Sequence, residues 1–182
     1  YFQVRQDTME RMYNLRELHA LAQIDQLTGL PNRFYIQSIL RSRINAASVL
    51  ALSFGVLYMD FDNFKLFNDT FGHEAGDTAL KLISQQLSKN MREMDFIGRW
   101  GGEEFLGIFL CPDDKALRKI AEKVRGTVER CPIPTGDRQA KITASIGGTM
   151  YQSGESAQCV VTRADQCLYQ SKRDGRNRVT IG

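Results

Sequence analysis

The sequence lacks the features that mark secreted or membrane-spanning proteins. Its 182 residues contain no signal peptide and no apolar run of membrane-spanning length. The four cysteines, Cys111, Cys131, Cys159 and Cys167, are widely spaced, with no CxxC pair and no histidine cluster near them. This spacing argues against a disulfide framework and against a zinc site. We therefore expect reduced thiols and a cytoplasmic location for this segment, whether or not a longer parent protein is anchored in a membrane.

The chain also lacks a strong charge of either sign. A net charge of +3 and a pI near 8.7 are too mild for a nucleic-acid groove, which concentrates lysine and arginine on one face. We expect no nucleic-acid polymer as a partner, and any anionic ligand should be small. With 42% hydrophobic and 25% charged residues, and no internal repeats, the chain suits one globular domain with an appendage.

Residues 1–24 are the predicted appendage. They are polar and helix-favouring, with apolar residues at three-residue steps from Met12 to Ile24. Two interpretations stay open, a signalling stalk that follows an upstream sensory module absent from this chain, or an N-terminal helix packed on the domain. The chain starts without methionine, so we expect a fragment, and residues 1–3 resemble the remnant of a cleavable tag. The domain itself is predicted to span residues 25–182.

Two glycines and two glutamates interrupt an apolar region near the middle of the chain. Strand patterns at residues 96–97 and 105–110 flank them, so Gly101 and Gly102 fall at a hairpin turn. The adjacent carboxylates of Glu103 and Glu104 repel each other unless a cation or a proton lies between them. Taken alone, a solvated turn with two surface glutamates is the simpler interpretation. The rest of the chain favours metal binding.

A second pair of acids follows a buried strand. Residues 54–62 are almost continuously apolar until Asp60 and Asp62. Their alternate spacing would put them on one face of an extended strand, whereas a bend at the strand end would separate them. In isolation, such aspartates are more often helix caps than metal ligands. The following segment, residues 63–77, mixes aromatics with a lysine, an asparagine, a histidine and glycines, a mixture that packing alone rarely needs.

The remaining pattern alternates helices and strands. A proline-containing loop at residues 27–33 precedes a helix to about Ala47, and further helices are predicted from beyond Asp77 to about Asn90, over 114–130 and over 157–172. Strands are predicted over 139–150, interrupted at Gly147 and Gly148, and over 179–181. This order predicts a ferredoxin-like α+β sandwich, with an antiparallel hairpin beside the acid-bearing strand.

Several ordered motifs together resemble the GGDEF family of diguanylate cyclases, over roughly residues 25–182. They lie at residues 27–33, at Asp60 with 64–65, at 68–77, at 99–105, at 145–147, at 164–165 with Tyr169, and at Lys172 with 175–177. The resemblance implies a fold like the palm of nucleotide polymerases, in which helices flank a central, mainly antiparallel sheet. It also implies that the domain condenses two GTP molecules into cyclic di-GMP and releases two pyrophosphates.

The resemblance assigns catalytic roles to individual residues. Asp60, the Phe61 carbonyl and Glu103 would bind Mg²⁺ or Mn²⁺, two ions per site, for attack of a 3′-hydroxyl on an α-phosphate. Glu103 would also help to deprotonate that hydroxyl. Glu104 belongs to the same signature, and Lys65 is a further catalytic candidate.

The resemblance likewise assigns the substrate contacts. Asn68 and Asp77 would read the guanine, because a carboxylate accepts from guanine N1–H and N2–H, and adenine lacks that pair of donors. The phosphates would be held by Lys65, Lys172 and Arg176, each of which could otherwise be a solvated surface cation. His73 is expected to stabilise its loop rather than to transfer protons.

Regulation and assembly follow from the same resemblance. Arg92 and Asp95 have the spacing and position of an RxxD product-inhibition site, with a helix-end salt bridge as the other interpretation. One site holds one GTP, so catalysis should need a homodimer, at least transiently.

The departures from the family pattern are small. They are Trp100 in place of a frequent tyrosine, Glu103 in place of aspartate, and the small Gly107 inside a strand. Two other functions stay open, a non-catalytic member that binds GTP or cyclic di-GMP, and a cyclase with a different product.

Overall fold

The computed structural model describes residues 23–182, so most of the predicted stalk, residues 1–22, lies outside the described residues. Within the described range, helices and strands alternate along the chain. They are α1 (Arg33–Leu50), β1 (Phe54–Phe61), α2 (Phe64–Phe71), α3 (His73–Lys89), β2 (Phe96–Gly101), β3 (Glu104–Leu110), α4 (Asp114–Glu129), β4 (Ile133–Thr135), β5 (Arg138–Ala140), β6 (Ala144–Met150), α5 (Ala157–Arg173) and β7 (Val179–Ile181). None of the helices in this range is long and apolar enough to cross a membrane.

Five strands form the central sheet in the order β2-β3-β1-β6-β7. Strand β1 is at the centre and runs antiparallel to both β3 and β6, while β2 and β3 form the hairpin. Only the β6–β7 pair of this sheet is parallel, and β4 and β5 form a separate ribbon. The structure therefore confirms the predicted α+β sandwich and the hairpin beside the acid-bearing strand.

Strand β1 separates two apolar clusters, because its side chains alternate between the two faces of the sheet. Leu57, Met59 and Phe61 belong to the cluster that includes residues of α3 and α4. Phe54, Val56 and Tyr58 belong to the cluster with α1 and α5. Asp60 continues this second row, so the alternation brings its carboxylate out on the side of α5.

Side-chain caps fix the starts of three helices. The side chains of Asn32, Asp113 and Ser156 accept hydrogen bonds from backbone N–H groups in the first turns of α1, α4 and α5, respectively. Such bonds satisfy donors that a helix leaves without an internal partner. The helices that support the site therefore begin at positions set by local sequence.

The structure corrects the predicted strand over residues 139–150. This segment forms two strands, β5 and β6. Between them, the Thr143 carbonyl accepts a hydrogen bond from the N–H of Asp62 at 2.8 Å, so this part of the chain pairs with the end of β1 and not with β4. Gly147 and Gly148 do not interrupt β6 but lie inside it. Helix α3 also begins earlier than predicted, at His73.

Candidate active site at the end of the central strand

Acidic side chains meet where β1 ends and β3 begins. Asp60 is directly opposite Glu104 in the antiparallel pairing of these strands, so both side chains lie on the same face. Glu103 is in the turn between β2 and β3, and its carbonyl accepts a hydrogen bond from the N–H of Phe61 at 3.3 Å. The hairpin thus places both glutamates of the signature beside the end of the central strand.

The glycines leave the turn open to a ligand. Gly102 has a left-handed φ of +50°, and a Cβ at either Gly101 or Gly102 would meet no atom within 4 Å. The Arg99 side chain stabilises the turn, since its Nε donates a hydrogen bond to the Gly102 carbonyl at 2.9 Å. The Arg99 Nη1 also donates to both carboxylate oxygens of Asp25 at 3.2 Å, which ties the turn to the start of the domain.

A lysine from the last turn of α5 reaches the central aspartate. The Lys172 Nζ lies 3.0 Å from Asp60 Oδ1, and the Asp60 side chain is only 13% exposed. Burial raises the pKa of Asp60, as do the nearby carboxylates of Glu103 and Asp62, while Lys172 acts in the opposite direction. Burial likewise raises the pKa of Glu104, and the negative charge of Asp60 adds to that effect.

The oxygen atoms at this position suit a divalent cation. The carboxylates of Asp60 and Glu103 and the carbonyl of Phe61 are hard donors of the kind that Mg²⁺ and Mn²⁺ prefer. In residues 23–182 no group of three or more histidine, cysteine or acidic side chains is arranged around a metal position. The set predicted here has only two carboxylates, so water and phosphate oxygens would have to complete the coordination, as is usual for Mg²⁺.

The two residues predicted to read guanine lie near each other on α2 and α3. The Asn68 Oδ1 is buried and has no hydrogen-bond partner among the described residues. It lies against Gly76, where a Cβ would come within 1.8 Å of it, and the exposed Asp77 is the next residue. A buried acceptor without a partner is costly, so an external donor would relieve it.

The other two predicted phosphate contacts, Lys65 and Arg176, are exposed. Lys65 lies in the first turn of α2, and Arg176 lies in the loop after α5 with a left-handed φ of +63°. Neither forms an ion pair with another residue of the 23–182 range.

The RxxD segment forms a turn rather than a helix-end salt bridge. Asp95 Oδ2 accepts from the backbone N–H of Arg92 at 3.4 Å, and no Arg92–Asp95 ion pair occurs in the described part of the chain. Both residues line a pocket between α3 and α4. The other lining residues are Leu87, Asn90, Met91, Phe109, Ile120, Lys123, Val124 and Thr127. The pocket thus combines an apolar interior with cationic and carboxylate groups.

Asp165 belongs to one of the motifs recognised in the sequence, but its membership of the acidic group was not predicted. The carboxylate of Asp165 contributes to the raised pKa of both Glu104 and Tyr58. The available signal was its spacing, because Asp165 precedes Lys172 by seven residues on α5 and therefore lies on the same face two turns away.

Fold and site together define an α+β domain that carries a Gly-Gly-Glu-Glu hairpin beside the acidic end of its central strand. The family described as diguanylate cyclase, GGDEF domain, matches residues 22–178. The response regulator PleD of Caulobacter vibrioides is 39% identical over 172 residues, which cover 91% of this chain and 37% of PleD. Diguanylate cyclase DgcP of Pseudomonas aeruginosa is 36% identical over 178 residues, which cover 98% of this chain and 26% of DgcP.

Solved structures agree with this match. The crystal structure of the coiled coil and GGDEF domain of DgcB from Caulobacter crescentus, in complex with c-di-GMP, superposes with a TM-score of 0.92 at 30% identity. The superposition covers 99% of this chain and 96% of that one. The chain belongs to the GGDEF-domain family of diguanylate cyclases. It spans 26% to 46% of the length of the first curated relatives that it matches.

Proposed function

We propose that this domain is a diguanylate cyclase that condenses two GTP molecules into cyclic di-GMP across a domain dimer. The observation that carries the proposal is the convergence of Asp60, Glu103 and Lys172 at the end of β1, in a chain of this family. Relatives named diguanylate cyclases and a DgcB structure in complex with c-di-GMP support the same activity.

In the proposed reaction, the 3′-oxygen of each GTP attacks the α-phosphorus of the other GTP. At each α-phosphorus the bond to the oxygen that bridges to the β-phosphate breaks, so that two phosphodiester bonds form and two pyrophosphates leave. Glu103 accepts the proton of the attacking hydroxyl, and Glu104 adds negative charge beside it. Asp60, Glu103 and the Phe61 carbonyl would hold the two Mg²⁺ or Mn²⁺ ions, which neutralise phosphate charge and make a bound hydroxyl more acidic.

The other polar residues are proposed to bind the substrate. Asp77 would accept from guanine N1–H and N2–H, and Asn68 would pair with the rest of that edge. The buried Asn68 Oδ1 without a partner supports this role. Lys65, Lys172 and Arg176 would hold phosphate oxygens as charged donors.

Product analysis tests the cyclase proposal. The protein is stripped of nucleotide, concentrated and incubated with GTP and Mg²⁺, and the products are separated by chromatography. The same assay is carried out on Glu103→Gln and on a control variant, Glu93→Gln. Glu93 is exposed in the turn that precedes β2. We expect cyclic di-GMP from the parent and the control, and at least a hundredfold less from Glu103→Gln. A dimeric parent that binds GTP but forms no product would instead indicate a non-catalytic receptor.

The RxxD pocket is proposed to bind the product and to inhibit the enzyme. Arg92 can pair with a phosphate or stack on guanine, and Asp95 can accept from the base. With Arg92→Ala, the cyclic di-GMP concentration that halves the initial rate should rise at least tenfold. Glu93→Gln, in the same turn, should leave that concentration within a factor of two. Equal inhibition of the parent and Arg92→Ala would reject the pocket as the inhibitory site.

A further inference from the structure

We infer that Asp62 and Asn177 are positioning residues, which hold the loop after α5 in the shape that presents Arg176 to substrate phosphate. The inference rests on the proposed function, because the phosphate role of Arg176 does. It also separates Asp62 from the metal-binding role that its position two residues after Asp60 suggests.

The backbone of this loop needs external support. Gly175, Arg176 and Asn177 have φ values of +114°, +63° and +45°, three left-handed residues in succession. Glycine adopts such values readily, but arginine and asparagine do so at a cost that the surrounding structure must offset. The Arg176 backbone makes two bonds of its own, because its N–H donates to the Ser171 carbonyl at 3.0 Å and its carbonyl accepts from Arg178 Nε at 3.3 Å. The contacts of Asn177, the next residue, add to this support.

Asp62 supports the loop from the sheet. Its side chain is buried, with 7% relative exposure. Oδ2 accepts from the backbone N–H of Asn177 at 3.0 Å and from Thr143 Oγ1 at 2.7 Å, while Oδ1 accepts from Ser145 Oγ at 2.6 Å. Both carboxylate oxygens are thus committed to protein donors, in contrast to Asp60, which pairs with the partly exposed Lys172.

Asn177 also connects the loop to helix α4 through its side chain. Its Nδ2 donates to Glu129 Oε1 at 2.8 Å, and its Oδ1 accepts from Arg125 Nη1 at 2.7 Å. Arg125 is itself held by Glu129 and Glu122 on α4, each at 2.9 Å. The loop is therefore fixed between the central sheet and α4, while Arg176 remains exposed to a ligand.

The end of β1 thereby organises both phosphate-binding cations of the α5 region. Asp60 holds Lys172 directly, and Asp62 holds the residue that follows Arg176. Because the two aspartates are separated by one residue, the spacing of Lys172 and Arg176 is tied to a single rigid segment. The two alternate aspartates thus have different partners, Lys172 for Asp60 and the loop after α5 for Asp62.

A double-mutant cycle tests the inference. Asn177→Gly removes both side-chain bonds while tolerating the left-handed φ, and Arg176→Ala removes the presented cation. Calorimetry would measure the Kd of a non-hydrolysable GTP analogue with Mg²⁺ for the parent, both variants and the double variant. We expect each single variant to weaken binding about fivefold to tenfold, and the double variant to bind within a factor of two of Arg176→Ala. Glu122→Gln, which removes only the outer partner of Arg125, should change the Kd less than twofold.

A second variant tests the role of Asp62. In the parent, the Asp62 carboxylate accepts hydrogen bonds from the hydroxyls of Thr143 and Ser145 and from the N–H of Asn177. Asp62→Asn replaces this carboxylate with an amide. The Asn177 amide should exchange its hydrogen at least tenfold faster, while the Mg²⁺ concentration for half-maximal analogue binding stays within a factor of two. If this variant does not fold, the Asn177→Gly cycle decides alone.

Three results would overturn the inference. They are an unchanged Kd in Asn177→Gly, a double variant weakened by the product of the two single effects, and a Mg²⁺ requirement that moves with Asp62→Asn. Formation of cyclic di-GMP by the parent is scored separately. If the parent binds the analogue but makes no product, the cyclase proposal is rejected. The double-mutant cycle can still be interpreted in that case, because it measures only the Kd of the analogue.

Discussion

Glu104 is placed where its charge opposes folding. Burial and the facing Asp60 carboxylate raise its pKa, so the folded state disfavours the ionised form. Because the pKa of Glu104 is raised, the contribution of this group to stability is most favourable at low pH and is lost as pH rises through its folded-state pKa. At neutral pH the face that carries Asp60 and Glu104 therefore has a repulsion between carboxylates that a bound cation would relieve.

Replacing this carboxylate with an amide should stabilise the domain. We expect Glu104→Gln to raise the midpoint of thermal unfolding by about 1–2 °C at pH 7, a modest change because the side chain is partly solvated. The gain should disappear below pH 4, where the glutamate is protonated in both states. Scanning calorimetry at the two pH values measures it, with Glu93→Gln as the exposed control. An equal gain at both pH values would mean that charge is not its cause.

Gly76 controls the position of Asn68. A Cβ at residue 76 would come within 1.8 Å of Asn68 Oδ1, so the amide must move in Gly76→Ala. Alanine also favours the helix by about 1 kcal/mol, which offsets part of the crowding. We expect the KM for GTP to rise at least fivefold while the unfolding midpoint changes by only a few degrees. In an Asn68→Ala background the same substitution should leave KM unchanged, and a further rise there would contradict the explanation.

At the scale of elements, α5 packs against the sheet at a glycine. A Cβ at Gly147 would lie 2.0 Å from the backbone nitrogen of Leu168 and 2.1 Å from the carbonyl of Ala164, so only movement of the whole helix could make room. A Cβ at the neighbouring Gly148 would instead meet the methyl ends of Leu57 and Ile181, which can rotate. The two glycines therefore form a matched pair for testing how rigidly α5 must be held.

Gly147→Ala should destabilise the domain by about 3 kcal/mol, and Gly148→Ala by about 1 kcal/mol. Urea unfolding measures both free energies. Because α5 also carries Lys172, Gly147→Ala should reduce cyclase activity even where the protein is still folded. Equal destabilisation by the two substitutions would show that helix α5 can shift without cost.

The sequence predicted the elements better than the contacts between them. Hydrophobic periodicity and caps are local, so the strand at Asp60, the Gly-Gly hairpin and α5 were recognisable. The break before β6 was not, because it depends on the bonds of Thr143 to Asp62, 81 positions earlier. The sequence alone suggests that Gly147 interrupts the strand. The reason for a glycine at this position is the close approach of the Leu168 backbone, which becomes visible only when α5 is packed on the sheet.

Prediction of the candidate site shows the same division. Family motifs indicated Asp60, Glu103 and Lys172 individually. The folded structure shows that these residues lie close together at the end of β1. The support of Arg176 could not be predicted, because Asp62 and Asn177 are 115 positions apart and neither position has a pattern that identifies its partner. Tertiary hydrogen bonds of this kind have no local signature.

At the scale of the whole molecule, the proposed reaction needs two copies of the domain. Each chain presents one hairpin beside one strand-end aspartate, so one chain would position one GTP, and the second GTP must come from a facing copy. Association should therefore limit the rate wherever monomers predominate.

In that concentration range, tenfold dilution should lower the rate per milligram about tenfold, and saturation should occur once dimers predominate. Cyclic di-GMP formation is measured over a protein dilution series, and sedimentation velocity over the same series gives the monomer fraction. Two domains joined in tandem by a long flexible linker are the control, and their rate per milligram should be insensitive to dilution. A constant rate per milligram for the single domain while sedimentation shows only monomers would establish that one chain completes the reaction alone.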